Sequence, residues 1–233
     1  VAVNNQRRSF MASVDGKSEY AFHAALKPGE DADSWTEADA RAVFQEAVGA
    51  NIPIEILSMG TWLAGHALVA QRFQHGRVFI AGDAAHLFTP TGGLGYNTAI
   101  EDAVNLAWKL ANVLRGNSPL SLLDTYEAER KPLAERNTGY ARLFADSVGL
   151  FVAKPELDED SESGKAERQM ASEHLNRHAR LEFNIPGVTF GGRYEKSPVI
   201  VHDGAVLPPD EPNKYVATAS PGGRPPHVWL EDG

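Results

Sequence analysis

The chain has 233 residues with 31 acidic and 22 basic side chains, a net charge of −9, and no basic cluster. That balance argues against a nucleic-acid surface and for solubility. Cysteine is absent, which excludes disulfides and thiolate metal sites. Apolar content of 42% and charged content of 23% are ordinary for a globular protein. No apolar run is long enough to span a bilayer and no signal peptide is evident, so no membrane is expected and a cytoplasmic location is. The length admits one large or two small domains.

Val1 opens directly into strand-like sequence with no initiator Met. Ser9 to Val14 and Ser18 to Leu26 read as two strands around an Asp15-Gly16 hairpin turn. Ser34-Trp35-Thr36-Glu37 starts a helix, with Ser34 or Thr36 as cap and acids in the first turn. Ala40, Val43, Phe44 and Ala47 share a face of it, and Gly49 ends it. Ile52 to Trp62 reads as a further strand. Residues 1 to 66 together are expected to form part of a sheet domain.

Residues 67 to 75 lead into Gly76-Arg77-Val78-Phe79-Ile80-Ala81-Gly82-Asp83. Val78 to Ala81 suits a short buried strand ended by Gly82-Asp83. Arg72 and Arg77 flank it, either as solvated charges or as contacts to a cofactor phosphate. A loop rich in glycine and proline follows, Pro90-Thr91-Gly92-Gly93-Leu94-Gly95. A helix starts near Tyr96, with Ala99, Ala103, Leu106, Leu110 and Val113 at helical spacing. Strand, acid, glycine loop and helix N-terminus make a ligand-binding edge of the kind found beyond the carboxyl ends of strands in open α/β folds. Asp83 can accept hydrogen bonds from a hydroxylated ligand. Gly92, Gly93 and Gly95 let backbone N–H groups approach a flat or anionic ligand. The helix N-terminus would stabilise charge developing there. His86 is expected to hydrogen-bond the loop, and Glu101 and Asp102 to serve the helix terminus.

Ser118-Pro119-Leu120 opens another helix, with Asn117 or Ser118 as cap and Pro119 at its first position. Leu122, Leu123, Tyr126, Leu133 and Tyr140 supply its apolar face, Glu129 and Arg130 read as structural ion-pair partners, and Pro132 is expected to kink or break it. The helical pattern resumes through Phe151. Residues 154 to 165 read as an acidic loop or helix lead-in, 167 to 181 as helix, and Asn184-Ile185-Pro186-Gly187 as a break. His202 and His227 have no partner at ligand spacing, so no metal is expected.

The run from Gly76 to His86, followed by Pro90, Gly93, Gly95 and Asn97 and then Asp102-Ala103-Val104-Asn105-Leu106-Ala107-Trp108-Lys109-Leu110, resembles the second FAD motif of the flavin-dependent aromatic hydroxylases. These are single-component monooxygenases that include the phenol hydroxylases. Tyr126 to Pro132 and the segments Phe190 to Tyr194 and Pro221 to Leu230 are similar to the same family. The resemblance implies a mixed α/β fold, with a substrate-domain β-sheet and the returning part of an FAD-binding domain. It implies that Asp83 binds the ribityl chain of FAD, that Pro90 lies near flavin and substrate, and that Gly93, Leu94, Gly95, Tyr96 and Asn97 line the pyrimidine side of the isoalloxazine. Asn97 either bonds that ring or caps the helix. Trp62, Leu63 and His66 either face a substrate ring or pack structurally.

The family's first motif, Gly-x-Gly-x-x-Gly after a strand, is absent, so the chain reads as a C-terminal portion without the N-terminal dinucleotide-binding unit. On that reading 1–66 is substrate sheet, 67–153 the returning FAD-binding part, 154–190 a helical connector, and 191–233 a linker and the start of a thioredoxin-like domain. The implied reaction takes NADH or NADPH and molecular oxygen, passes through a flavin C4a-hydroperoxide, and hydroxylates a small phenolic ring. A homodimer is compatible with it, and no residue is assigned as acid–base catalyst. An FAD-dependent oxidase, reductase or epoxidase on the same fold, and a non-catalytic flavin-fold binding module, are the alternatives.

Overall fold

The computed structural model describes residues 6–63 and 65–231. The strand-like opening at Val1 lies outside them, as does the end of the chain at Gly233. The chain divides into two compact units, Val1–Leu63 with Phe151–Leu175 and Ala64–Leu150 with Asn176–Gly233.

In the first unit β1 (Ser9–Ser13) and β2 (Tyr20–Ala24) pair antiparallel, Ser9 opposite Ala24 and Ser13 opposite Tyr20. Asp15 shapes the turn by accepting the backbone N–H groups of Lys17, Ser18 and Glu19. Helix α1 (Glu37–Val48) starts at Thr36, which forms a reciprocal capping box with Asp39, and stops at Gly49. Each half of that box satisfies a backbone donor the helix cannot. Phe44 meets Phe22 edge-on at 5.3 Å. Arg7 forms a two-pronged pair with Glu30 and lies over the Trp35 ring.

The expected strand over Ile52–Trp62 does not form. This stretch has no ladder partner among the described residues. It is tied instead by Gln45, which both donates to and accepts from the Ile52 backbone, and by Arg41 on the Ile54 carbonyl. Trp62 is exposed and meets the His23 ring edge-on, and Leu63 and His66 are exposed as well.

The second unit is built on two long helices, α2 (Leu94–Leu114) and α3 (Thr125–Gly149), with short antiparallel pairs beside them. β3 (Leu68–Val69) pairs with β6 (His86–Leu87), and β4 (Gln74–His75) with β5 (Val78–Phe79). The expected strand from Val78 to Ala81 is therefore two residues long, and Val78 is exposed. Among the described residues β5 has only β4 beside it, and a strand extends no further than its ladder. Phe73, Ala85, Tyr126 and Ala134 form one buried cluster, and Leu94, Ala141, Phe144 and Val188 another. The Tyr126 hydroxyl donates to the Ile80 carbonyl at 2.8 Å. Glu127 accepts the Phe73 and Gln74 backbone N–H groups.

Pro119 does not open α3. It precedes a short 3-10 segment, Leu120–Asp124, and neither Asn117 nor Ser118 caps it. Pro132 lies inside α3 without ending it. Ala128, whose carbonyl loses its N–H partner, lines an open groove together with Pro132, so water can reach the vacated acceptor and the loss is tolerated. The helix stops at Gly149, two residues before the expected Phe151. α4 (Glu162–Phe183) and α5 (Pro186–Phe190) follow. Arg136 grips both Asp210 oxygens at 2.7 Å and the Gly187 carbonyl, anchoring the late extended segment to α3.

Candidate functional site

The turn, glycine loop and helix start expected from the sequence are present, and each can be placed in turn. After β5 the backbone turns at Gly82, whose φ is +58°. A Cβ there would come within 3.2 Å of the Ala99 side chain on α2, so the turn presses against that helix and suits only glycine. Gly82–Ala84 make one 3-10 turn. It leaves the Asp83 side chain exposed with no hydrogen-bond partner among the described residues. β6 then leads to Pro90, Gly92 and Gly93. Pro90, Gly93, Tyr96 and Asn97 are exposed and Gly95 is half-buried.

Helix α2 starts two residues earlier than expected, at Leu94, with Gly93 as its cap and no side chain closing its end. Two of the loop glycines spend their N–H groups inside the protein. The Gly92 N–H is taken by Glu182 Oε1 at 2.8 Å, and the Gly93 N–H by the Pro90 carbonyl at 3.1 Å. The donors that remain to be considered are those of the first helical turn, Leu94, Gly95 and Tyr96, which a helix does not satisfy internally and which the cap, Gly93, has no side chain to close. The Leu94 side chain is in the core. At Gly95 a Cβ would meet the Phe88 ring at 3.5 Å, an ordinary contact. Asn97 neither caps the helix nor points wholly away: its side-chain N–H donates back to the Gly93 carbonyl at 2.9 Å, leaving its oxygen free to accept.

Behind this edge lies an arrangement the sequence did not announce. The apolar stripe of α2 is only partly covered, whereas Thr98, Asp102, Asn105 and Lys109 are buried. Asp102 is not a helix-terminus partner. Its Oδ2 accepts the Gly82 N–H at 3.1 Å and lies 2.6 Å from His86 Nε2, and its Oδ1 accepts Arg130 Nε at 2.8 Å. Asp102 thus ties the Gly82–Asp83 turn to both long helices. Glu101 is the partly exposed partner of Arg130, at 2.8 Å. One turn further on, Glu129 Oε2 accepts from Lys109 and Asn105 at 2.6 Å each, and Oε1 accepts from Ser197 at 2.7 Å. Glu129 and Arg130 are ion-pair partners as expected, each with α2.

Burial pushes the Asp102 carboxyl up, but hydrogen bonds from His86 and Arg130 and the Arg130 charge outweigh it and hold it below the ordinary range. For Glu129 burial again pushes upward, and the bonds from Asn105, Lys109 and Ser197 again prevail. Burial lowers Lys109 in spite of Glu129. The signal for this seam was present: positions 98, 102, 105 and 109 recur at helical spacing, beside the apolar stripe. His202 and His227 join no group of three metal-ligating side chains among the described residues. Arg72 and Arg77 are exposed.

An exposed acid after a glycine turn, followed by a helix N-terminus that no cap side chain closes, is an arrangement suited to a hydroxylated, partly anionic cofactor. Comparison with known proteins gives that arrangement its family. Residues 2–141 match the profile described as FAD binding domain, and the chain belongs to that family. It is 36% identical over 235 residues to a putative polyketide hydroxylase of Streptomyces halstedii, covering 97% of this chain and 38% of the relative. It is 37% identical over 217 residues to the 2,4-dichlorophenol 6-monooxygenase of Cupriavidus pinatubonensis, covering 84% and 35%. The solved flavin-dependent monooxygenase PieE, in complex with FAD and substrate, superimposes with a TM-score of 0.77 at 32% identity, over 96% of this chain and 42% of that one. The chain thus spans somewhat over a third of the length of these relatives. No helix among the described residues is long and apolar enough to cross a membrane.

The residues present fit the cofactor. Asp83 has a free carboxylate for sugar-chain hydroxyls. The N–H groups of the first α2 turn suit an electron-rich ring edge, and the Asn97 oxygen suits a ring N–H.

Proposed function

We propose that this chain forms the ribityl and pyrimidine side of the FAD site in a monooxygenase that hydroxylates an aromatic ring. One observation carries the reading: an exposed Asp83, without a hydrogen-bond partner among the described residues, and the start of α2, which no cap side chain closes, lie on one continuous turn–loop–helix segment. Asp83 accepts ribityl hydroxyl bonds. The N–H groups of Leu94, Gly95 and Tyr96 and the side-chain oxygen of Asn97 take the pyrimidine edge, aided by the α2 dipole. Pro90 borders flavin and substrate. FAD bound there would supply the redox chemistry by which two electrons from NADH or NADPH reduce molecular oxygen, one atom of which would enter the phenolic ring while the other leaves as water. This chain's residues bind and orient the cofactor, and its seam of buried charges keeps the binding edge rigid.

The relatives' names, a dichlorophenol monooxygenase and a polyketide hydroxylase, support a phenolic substrate of one ring or several. The test is FAD affinity of the holoenzyme. Asp83→Ala should weaken FAD by about 1.5–3 kcal/mol, the range for hydrogen bonds to a charged group. Unchanged flavin retention would remove Asp83 from the site.

A further inference from the structure

The glycine loop has a buried carboxylate behind it that the proposed chemistry does not use. Glu182, near the end of α4, accepts the Gly92 N–H at 2.8 Å through Oε1. Its Oε2 lies 2.8 Å from His178 Nε2, and both side chains are about nine-tenths buried. His178 Nδ1 is buried without a partner among the described residues. The loop has little freedom to move away from this charge. Gly92 sits at φ +73°, and a Cβ there would come within 2.9 Å of the Phe144 ring. Thr91 beside it donates to the Ala141 carbonyl at 2.6 Å.

We infer that Glu182 tunes the reduction potential of the FAD held at this loop, acting through Gly92 as a tuning residue rather than touching the flavin. The inference rests on the proposed placement of the pyrimidine edge at residues 93–97. Reduction places negative charge on that edge. Glu182 holds a second negative charge at the residue preceding it, in a site where water screens little. It also engages a backbone donor that would otherwise add to the positive end of α2. Both effects disfavour the reduced anion. The N–H groups of 94–96 pull the other way, so the two sides of the loop set the potential between them.

The experiment is potentiometric titration of the bound flavin, paired with a thermal melt. Glu182→Gln retains an acceptor for Gly92 and removes the charge. The midpoint should rise, with reduced FAD favoured at least tenfold over oxidised FAD relative to the parent, which for a two-electron couple is about 30 mV. His178→Phe at pH 8 leaves the carboxylate without its partner and should move the midpoint down. This arm remains informative if the first variant folds poorly. Asp124→Asn removes a carboxylate about 25 Å along α3 from Ala141, at ~1.5 Å per residue, and should shift the midpoint far less. An unmoved or lowered midpoint in Glu182→Gln, or an equal shift in Asp124→Asn, overturns the inference. If Asp83→Ala retains FAD as well as the parent does, the placement fails and the inference falls with it. If Asp83→Ala loses FAD while Glu182→Gln leaves the midpoint unmoved, the placement stands and only the tuning role is lost.

Discussion

Replacing Arg130 by methionine tests whether the buried charges beneath the binding edge hold the second unit together. Methionine keeps the apolar stem of the side chain and removes the guanidinium, so the effect is chiefly the loss of its charge and hydrogen bonds. Arg130 is 1% exposed and gives Asp102 Oδ1 its bond at 2.8 Å. Its bond to Glu101 is worth little, because that carboxylate is half in solvent. Removing one partner of a buried pair costs about 3–5 kcal/mol. Asp102 keeps the His86 and Gly82 bonds, which places the loss near the lower end, about 3 kcal/mol. That corresponds to a fall of roughly 6–12 °C in melting temperature at the ~2–4 °C per kcal/mol of a chain this size.

The acid side offers an independent reading of the same pair. Asp102 has a folded pKa below its ordinary 3.8. Its stabilisation is therefore complete above that value and lost as pH falls through the lower, folded one. Without Arg130 the folded value rises toward the unfolded one, and the variant should lose less stability on acidification than the parent does. Urea denaturation followed by near-ultraviolet circular dichroism, repeated from pH 7 to pH 3, measures both. A loss below about 1 kcal/mol at pH 7, with an unaltered acid limb, would refute the reasoning.

Lys109→Met should destabilise by about 3 kcal/mol for the same physical reason, since Glu129 stays buried with Asn105 and Ser197; a urea midpoint shows it. Gly92→Ala should cost more than Gly93→Ala. Both have positive φ, worth about 1–2 kcal/mol, but only the former drives a methyl group into Phe144, and paired thermal melts give the difference. Asn97→Ala should raise the midpoint potential of bound FAD, because the negative end of the side-chain dipole no longer meets the ring N–H; an unchanged potential with a stability loss of about 1 kcal/mol would make its bond to the Gly93 carbonyl its whole role.

What could be read in advance was local. Thr36, Asp39 and Gly49 mark the ends of α1 within a few residues of themselves, and Asp15-Gly16 marks its hairpin in the same way. Gly82-Asp83 and the glycine loop were legible because their residue types are restrictive wherever they occur. The misreadings concern partners. Ile52–Trp62 is apolar enough for a strand, but a strand exists only beside another, and composition does not say whether one is there. Val78–Ala81 was shortened for the same reason. Asp102 looked like a terminal acid because it follows a helix start. Its true partners are 16 and 28 residues away at His86 and Arg130, and Glu182 meets Gly92 across 90. Periodicity showed which residues share a face of α2, but not that the polar face would turn inward.

A greased helix pair can slide, since one apolar contact replaces another at nearly equal energy. The inner face of α2 has no such freedom. A slip of one turn, about 5.4 Å, would pull Lys109 off Glu129 and Asp102 off Arg130 together, stranding four buried charges. The seam therefore behaves as a key cut for one register. It fixes how far the start of α2 projects, and with it the distance between the Asp83 carboxylate and the N–H groups of the first turn. The ruler that spaces the two ends of this turn–loop–helix edge is kept in the buried part of the helix, away from the edge itself.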